Sequence, residues 1–248
     1  MIQMLVNHMK KFLLSCLAIG FFHACSLDPD PGSQLPEPIR SYFLLYNYFQ
    51  ESYDLLWEVE GYTLSAAHTY GGSIMGFVHL DSTAGDITFT TKHPDTGEMI
   101  LSGNYRLEEN KFTMVAVMGN EEDPYLSFDP LNLDPPGSGM IRIRFMHTSG
   151  YLDPLDVYIG GSSEEKRVVS NLTYRQVSGY VETSLNDLLH SVVVLPHGST
   201  PGTDSALISN TGSNVLHPDR IYLGVIGHPG HADTTNVDLV FYDQPVEY

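Results

Sequence analysis

Short runs of alternating apolar and polar residues, separated by Gly- and Pro-rich turns, constrain this chain more than any other feature. In residues 141–147, Ile141, Ile143 and Phe145 fall on one face of a strand and two arginines on the other. Residues 191–195 form a continuous apolar run, which is typical of a strand buried on both faces. Because no helical stripe of useful length competes with these runs, the sequence predicts an all-β fold built from β-sandwiches.

The body of the chain carries this pattern twice. Residues 42–48 match residues 141–147, and residues 55–61 match residues 155–161. The distance between matched residues grows along the chain, which indicates loop insertions in a duplicated domain rather than a short solenoid repeat.

A stretch rich in Pro and Gly, residues 123–139, lies between the two copies. With 248 residues, the chain is too long for one ordinary sandwich domain and suits two. We place the boundary near Pro136, so the first β-sandwich domain is predicted over residues 37–136 and the second over residues 137–248.

Residues 140–227 resemble the DUF4397 domain, a family of bacterial proteins located outside the cytoplasm. The segments that carry this resemblance are residues 141–147, 155–158, 171–174 and 178–181. Within them, His147, Asp156 and Tyr174 stand where the family pattern has its His, Asp and Tyr. The resemblance implies an immunoglobulin-like sandwich and a secreted or lipid-anchored setting, and it implies no particular activity. Together with the repeated pattern, it predicts two tandem immunoglobulin-like β-sandwich domains.

The first half departs from the family pattern and is expected to be a diverged copy. Tyr48 or Phe49 stands at the histidine position, and no Asp occurs in residues 55–61. Tyr70 is its best match, since it corresponds to Tyr174 of the second half.

The beginning of the chain carries an export signal. Lys10 and Lys11 precede an apolar run over residues 12–22, which is shorter than the about 20 residues that a membrane-spanning helix needs. The Ala24-Cys25 pair that follows resembles the lipobox of bacterial lipoproteins, in which the signal peptide is cut before the Cys and the thiol is acylated.

We therefore predict a lipoprotein signal peptide over residues 1–24, lipid attachment at Cys25, and a short tether over residues 25–36. Cys16 lies within the signal, so Cys25 would be the one thiol of the mature chain, and acylation gives it a role. Ser26 follows the lipidated Cys and favours the outer membrane, with its periplasmic and external faces both left open.

The charge excludes one class of partner. The chain has 12 Lys and Arg against 30 Asp and Glu, a formal net charge of −18. A protein without a basic surface cannot release counterions from phosphates, so no nucleic-acid partner is predicted.

The sequence also lacks the motifs of nucleophilic catalysis. No G-x-S-x-G elbow occurs, and no Cys nucleophile remains in the body of the chain. We predict no enzyme, no catalytic residue and no cofactor.

Two His-containing sets were weighed as metal ligands. His147 and Asp156 could form a pair or bind a metal, but two ligands on strands do not make a metal site, and Asp is more often a cap for turn amides. His228, His231 and Asp233 have suitable ligand types, yet their loop has the Pro and Gly of an ordinary exposed turn.

An acidic stretch provides a third set. Residues 120–123, with Asp129 and Asp134, could bind Ca²⁺ at the domain junction, although they lack the spacing of a dedicated calcium loop. A solvated acidic linker is the favoured interpretation, so no metal site is predicted.

The aromatic residues divide into core and surface. Trp57 alternates in register with Val59, which predicts a core position rather than a sugar-stacking platform. Tyr62, Tyr70 and Tyr125 are left open as contact residues.

Together these features predict a lipid-anchored protein of the bacterial cell envelope with a non-catalytic role in binding, adhesion or assembly. Its partners would be the membrane, through the anchor, and a glycan or an envelope or surface protein. The alternative is a Ca²⁺-dependent envelope module with the ion at the domain junction.

Overall fold

Strands make up nearly all of the regular structure, as the alternating pattern predicts. The computed structural model describes residues 39–51, 53–80, 85–202, 204, 206–208, 216–228 and 236–246. The predicted signal peptide, Cys25 and the tether lie outside these residues.

The strands follow one another with few interruptions. In chain order they are β1 (Ile39–Phe49), β2 (Leu55–Val59), β3 (Tyr62–His68), β4 (Ser73–Leu80), β5 (Asp86–Lys92), β6 (Met99–Arg106), β7 (Lys111–Gly119), β8 (Tyr125–Pro130), β9 (Met140–His147), β10 (Leu155–Ile159), β11 (Arg167–Leu172), β12 (Val181–Ser184), β13 (Val192–Pro196), β14 (Arg220–Gly227) and β15 (Asp238–Gln244). A short helix that the sequence did not predict, α1 (Leu185–His190), begins after Ser184, whose hydroxyl accepts the backbone N–H of Asp187. None of the helices in the described residues has the length and apolar character needed to cross a membrane.

The strands form four sheets whose order repeats. Sheet I has the order β3-β2-β5-β6 and sheet II the order β4-β1-β7-β8. Sheet III has the order β12-β9-β14-β15 and sheet IV the order β11-β10-β13. In sheets II and III the two central strands, β1 with β7 and β9 with β14, run parallel, and all the other pairs are antiparallel. The shared strand order agrees with the duplication that the sequence indicates.

Sheet IV differs from sheet I in the pairing that corresponds to β5 with β6. Where β6 pairs with β5 in sheet I, the second half has an isolated bridge between Val194 and Ile208. Strand β6 of sheet I therefore corresponds to a single bridged residue, Ile208, in the second half.

Sheets I and II face each other around an apolar core. Phe43 and Val115 of sheet II meet Trp57 and Phe89 of sheet I, and all four are fully buried. Trp57 therefore occupies the core position that its register predicted.

Sheets III and IV enclose a second core in the same way. Ile143 and Phe145 meet Val192 and Val194 of β13, while Val193 packs on the opposite face of sheet IV. The continuous apolar run of β13 is thus buried on both faces, as predicted, and the prediction of an all-β sandwich fold is confirmed.

A third core, which the sequence analysis did not anticipate, lies between sheets II and III. Tyr46 of β1 and Met114 and Ala116 of β7 pack against Met146 of β9 and Val225 of β14. Both central strands of sheet II are therefore buried on their two faces, and the described residues cluster as one compact unit. The division of the chain at Pro136 into two domains stays a prediction.

A buried arginine crosses this third core. Arg144 projects from β9 toward sheet II with a side chain only 3% exposed, and it forms an ion pair with the carboxylate of Asp129 on β8. Its guanidinium also lies 5.0 Å from the ring centre of Tyr180 and 3.8 Å from the sulfur of Met114. Since Asp129 is 30% exposed, water still solvates the carboxylate but scarcely reaches the guanidinium.

This difference in exposure predicts that removing the two partners of the ion pair lowers the free energy of unfolding by unequal amounts. Asp129→Ala is expected to lower the free energy of unfolding by about 3 kcal/mol, because it leaves a buried cation without its counter-ion. Arg144→Met is expected to cost less than about 1 kcal/mol, because an apolar side chain of similar length fills the space and Asp129 remains solvated. Urea denaturation of the two variants measures both values, and equal losses would contradict the prediction.

Candidate functional site

Residues from the two halves meet at one end of the interface between sheets II and III. The hydroxyl of Tyr48 donates to that of Tyr242 at 2.7 Å, and Tyr242 donates to the carbonyl of Gly71 at 2.5 Å. Tyr70 donates to the carbonyl of His228 at 3.3 Å. These bonds cross between the halves, so the loops at this end are held together.

A groove of about 200 Å³ opens at this end, and we call it the junction groove. From the first half, its lining contains Gln50, Gly119, Asn120 and Asp123. These residues lie just after β1 and β7, which are adjacent parallel strands, so both strands end at the same edge of sheet II.

The second half supplies the aromatic part of the junction groove. Its lining residues are Gly150 and Tyr151, in the turn that follows β9, and Tyr174 and Arg175, in the turn that follows β11. The Tyr151 side chain is 59% exposed, so its ring is available to a ligand.

Arg175 has an unusual backbone conformation. Its φ of 69° lies in the left-handed region, where the corresponding residue of the first half is Gly71 with φ of 70°. The correspondence rests on matching hydrogen bonds, from Gly71 N–H to the carbonyl of Asn47 and from Arg175 N–H to the carbonyl of His147. A side chain in this region costs on the order of 1 kcal/mol, and such strain persists where the surrounding structure holds it.

The side chain of Arg175 supplies that support. Its guanidinium lies between two rings, 4.9 Å from the centre of Tyr125 and 4.7 Å from that of Tyr174. One terminal nitrogen donates to both the carbonyl and the carboxylate of Asp123, at 2.6 Å and 2.7 Å. An arginine of the second half thus binds a loop of the first half and forms one wall of the junction groove.

A serine and a histidine form a buried pair behind the groove. The Ser149 Oγ lies 2.7 Å from Nε2 of His228, and Nδ1 of His228 lies 2.5 Å from the carbonyl oxygen of Asn236. Because a carbonyl can only accept, Nδ1 donates to it, and in the neutral imidazole Nε2 then accepts the serine hydroxyl.

This pairing resembles that of a nucleophile and its base, but its surroundings do not suit catalysis. Ser149 is 0% exposed, and its Oγ also accepts the backbone N–H of Tyr151 at 3.2 Å. A substrate cannot reach the hydroxyl, so we assign the pair to fixing the 149–151 turn beneath the groove.

His147 lies close to the pair of Ser149 and His228. The structure also corrects the prediction of which residue of the first half is equivalent to His147. Asn47, rather than Tyr48 or Phe49, occupies the equivalent position, because the backbones of Asn47 and His147 make the same contacts. The His147 ring is fully buried and lies edge-on to Tyr174 at 6.2 Å, and burial lowers its pKa to about 4.

Asp156 lies elsewhere, on sheet IV, and its partners do not include His147. Its carboxylate accepts the backbone N–H of Asn171 at 2.8 Å and lies 2.9 Å from Nδ1 of His197. Burial opposes its ionisation, but the hydrogen bonds from Asn171 and His197 outweigh this and hold the pKa of Asp156 below its usual value. The carboxylate thus joins β11 to the turn after β13, which agrees with the corner-fixing role that the sequence favoured over a metal site.

The acidic residues near the junction have protein partners. Asp123 is paired with Arg175 and Asp129 with Arg144. The Oδ1 of Asn120 accepts the backbone N–H groups of Glu122 and Asp123, at 3.1 Å and 2.9 Å. Both aspartates thus face guanidinium groups, and nothing in their geometry favours Ca²⁺ over these partners.

The remaining metal candidate falls largely outside the described residues. His228 is bonded to Ser149 and Asn236, whereas His231 and Asp233 lie in the part of the chain that the structure does not describe. Among the described residues, no group of three or more His, Cys, Asp or Glu side chains could hold a metal ion.

The three surface tyrosines differ in their environments. Tyr62 is 78% exposed on edge strand β3 and is not among the residues that line the junction groove. Tyr70 packs against the third core, and Tyr125 stacks on Arg175. Two of the three therefore belong to the junction between the halves.

Of the residues that line the junction groove, the sequence pointed to Asn120, Asp123 and Tyr174, each for another role. It did not point to Gln50, Tyr151 or Arg175. A direct comparison of the halves contains one usable signal, since Arg175 follows Tyr174 where Gly71 follows Tyr70. Tyr151 has no counterpart of this kind, and only the fold shows that it lines the same groove as Asn120.

Comparison with known proteins adds no relative. No protein-family model matches the chain, and a search of curated proteins finds no match. The resemblance to the DUF4397 domain therefore stays a prediction.

The buried His147 predicts a pH-dependent stability. Its pKa of about 4 in the folded chain lies below the ordinary value of 6.5, so the unfolded chain binds more protons between these values. Its contribution to stability, about 3 kcal/mol, is complete above pH 6.5 and is lost as the pH falls toward 4. His68, whose pKa burial also lowers, acts in the same direction.

Urea denaturation between pH 7 and pH 4 tests this. His147→Asn, which introduces the residue of the first half, is expected to flatten the pH dependence whatever its effect at neutral pH. His190→Asn is the control, because His190 is exposed on α1 and should leave the pH dependence unchanged. A His147→Asn variant with the original pH dependence would contradict the assignment.

Proposed function

We propose that this protein is a lipid-anchored, non-catalytic binding protein of the bacterial cell envelope, with its acyl chains on Cys25 at the outer membrane. The sequence of the export signal supports the anchor, and the resemblance to the DUF4397 domain is consistent with this setting. Several acyl chains on one Cys would give stable membrane attachment, because each buried CH₂ contributes about 0.8 kcal/mol.

The junction groove is the observation that carries the binding role. It is open, polar and aromatic, and both halves of the chain line it. The serine and histidine nearest to it are paired with each other out of reach of a substrate, so binding explains the groove better than catalysis does.

The packing of sheets II and III supports the same role. The third core joins the two halves, so the loops on either side of the groove are carried by strands that cannot move independently. A ligand would therefore meet a preformed site and lose little affinity to the ordering of loops.

Metabolic labelling with an alkyne fatty acid tests the anchor. The wild-type chain should incorporate the label and fractionate with membranes, and Cys25→Ala should lose both properties. Cys16→Ala is the matched control, since Cys16 lies in the predicted signal and its loss should change neither. Label retained in Cys25→Ala, or lost in Cys16→Ala, would contradict the proposal.

Protease treatment of intact cells, repeated after outer-membrane lysis, then identifies the membrane face. An antibody against residues 137–248 follows the digestion. Digestion in intact cells would favour adhesion or capture of external glycans, and protection until lysis would favour binding within the periplasm.

A further inference from the structure

We propose that the junction groove binds an uncharged saccharide. The inference deepens the proposed binding function and rests on it. It follows from four properties of the groove, namely its aromatic surface, its amide side chains, its charge and its size.

The aromatic surface suits the ring of a sugar. A sugar presents C–H groups on its faces and hydroxyls around its edge, and its faces pack against aromatic rings. Tyr151 offers a ring that is 59% exposed, and the ring of Tyr174 lines the groove beside it. Gly150 separates them, and a Cβ there would lie 3.3 Å from the Tyr174 ring, so the absence of a side chain lets this ring form the wall.

The amide side chains suit the edge hydroxyls. Each amide supplies both donors and acceptors, as a hydroxyl does. The Oδ1 of Asn120 accepts two backbone N–H groups, which fixes the side chain, and its amide nitrogen bonds to none of the described residues. Gln50 also lines the groove, and its backbone N–H donates to the carbonyl of Gly119 at 2.7 Å, which anchors the residue.

The charge of the groove disfavours an anionic ligand. The one cation in its lining, Arg175, already pairs with Asp123 at 2.7 Å. The next residues of the loop, Glu121 and Glu122, are acidic, and the whole chain has a formal net charge of −18. An anion would meet repulsion without an available counter-ion, whereas a neutral polyol would not.

The size of the groove fits a short piece of a longer chain. Its volume of about 200 Å³ is below the roughly 300–1,000 Å³ of pockets that enclose a drug-sized ligand. An open groove of this size accommodates one or two sugar rings, and the remainder of an oligosaccharide can extend into solvent.

The lining is also rigid where a sugar would contact it. Gly119 has φ of 93°, and a Cβ there would lie 2.1 Å from the carbonyl oxygen of Asp123, so only Gly permits this close turn. The close backbone contact between Gly119 and Asp123 and the stacking of Arg175 on two tyrosine rings therefore hold the two sides of the groove at a constant separation.

Isothermal titration calorimetry of the mature full-length chain in detergent tests the proposal. The probes are the neutral hexasaccharides of glucose, mannose, xylose and N-acetylglucosamine, with hexagalacturonate as the anionic probe. We expect at least one neutral hexasaccharide to bind with a Kd below about 1 mM and hexagalacturonate to bind more weakly. A preference for the N-acetylglucosamine chain would indicate a ligand with the chemistry of the cell's own envelope, and a preference for another neutral chain an external source.

Two variants locate the binding site. Tyr151→Ala and Asn120→Asp are each expected to weaken binding about tenfold or more. Asn120→Asp removes the amide donors but keeps the Oδ1 that accepts the backbone N–H groups of Glu122 and Asp123, and neither side chain lies in a hydrophobic core, so both variants should fold. Tyr62→Ala is the matched control, since it removes a more exposed tyrosine away from the groove and should leave the Kd unchanged.

Three results would overturn the inference. They are the absence of binding to every neutral probe, tighter binding of hexagalacturonate, and full affinity in both groove variants. A chain that is acylated at Cys25 but binds no saccharide would overturn this inference alone, whereas failure of acylation would overturn the envelope proposal and leave the groove measurement unaffected.

Discussion

The face-to-face packing of sheets II and III is the contact on which the rest of the structure depends. It buries large side chains such as Tyr46, Met114 and Met146, each fully, and such burial contributes about 1.5–3 kcal/mol per side chain. An interface of this kind behaves like a protein core rather than like a contact between linked domains. The two halves therefore cannot hinge without exposing apolar surface, and their loops keep a constant relation to one another.

That fixed relation creates the junction groove. Neither half could form the groove alone, because one supplies the amides and the acidic partner and the other supplies the rings and the arginine. Arg175 shows how the two copies have diverged: it occupies a left-handed position that suits Gly71 in the first half, and its contacts with Asp123 and two tyrosines offset the strain. The two halves share a strand order, as the predicted duplication requires, and different residues at the junction distinguish them.

Buried polar groups are concentrated near this contact as well. Arg144 lies within the third core, while Ser149, His228 and His147 lie behind the groove. Each buried group needs a partner or must stay neutral, because desolvation of an unpaired charge is costly. Arg144 takes an ion pair, His228 takes two hydrogen bonds in one tautomer, and His147 stays neutral through its lowered pKa.

The sequence by itself determined the all-β class and the core position of Trp57, because strand periodicity and turn residues are local signals that survive in a single chain. The duplication that it indicates stays a prediction, with which the shared strand order agrees. The sequence also indicated that β13 is buried on both faces, and the same signal is present in β1, whose residues 42–46 are continuously apolar. Only the tertiary structure decided that sheets II and III pack together, that Asn47 is the counterpart of His147, and that Tyr151 and Arg175 share a groove with Gln50 and Asn120. These relations join residues far apart in sequence through loops of unequal length, and alternation along one strand contains no information about which sheet face meets which.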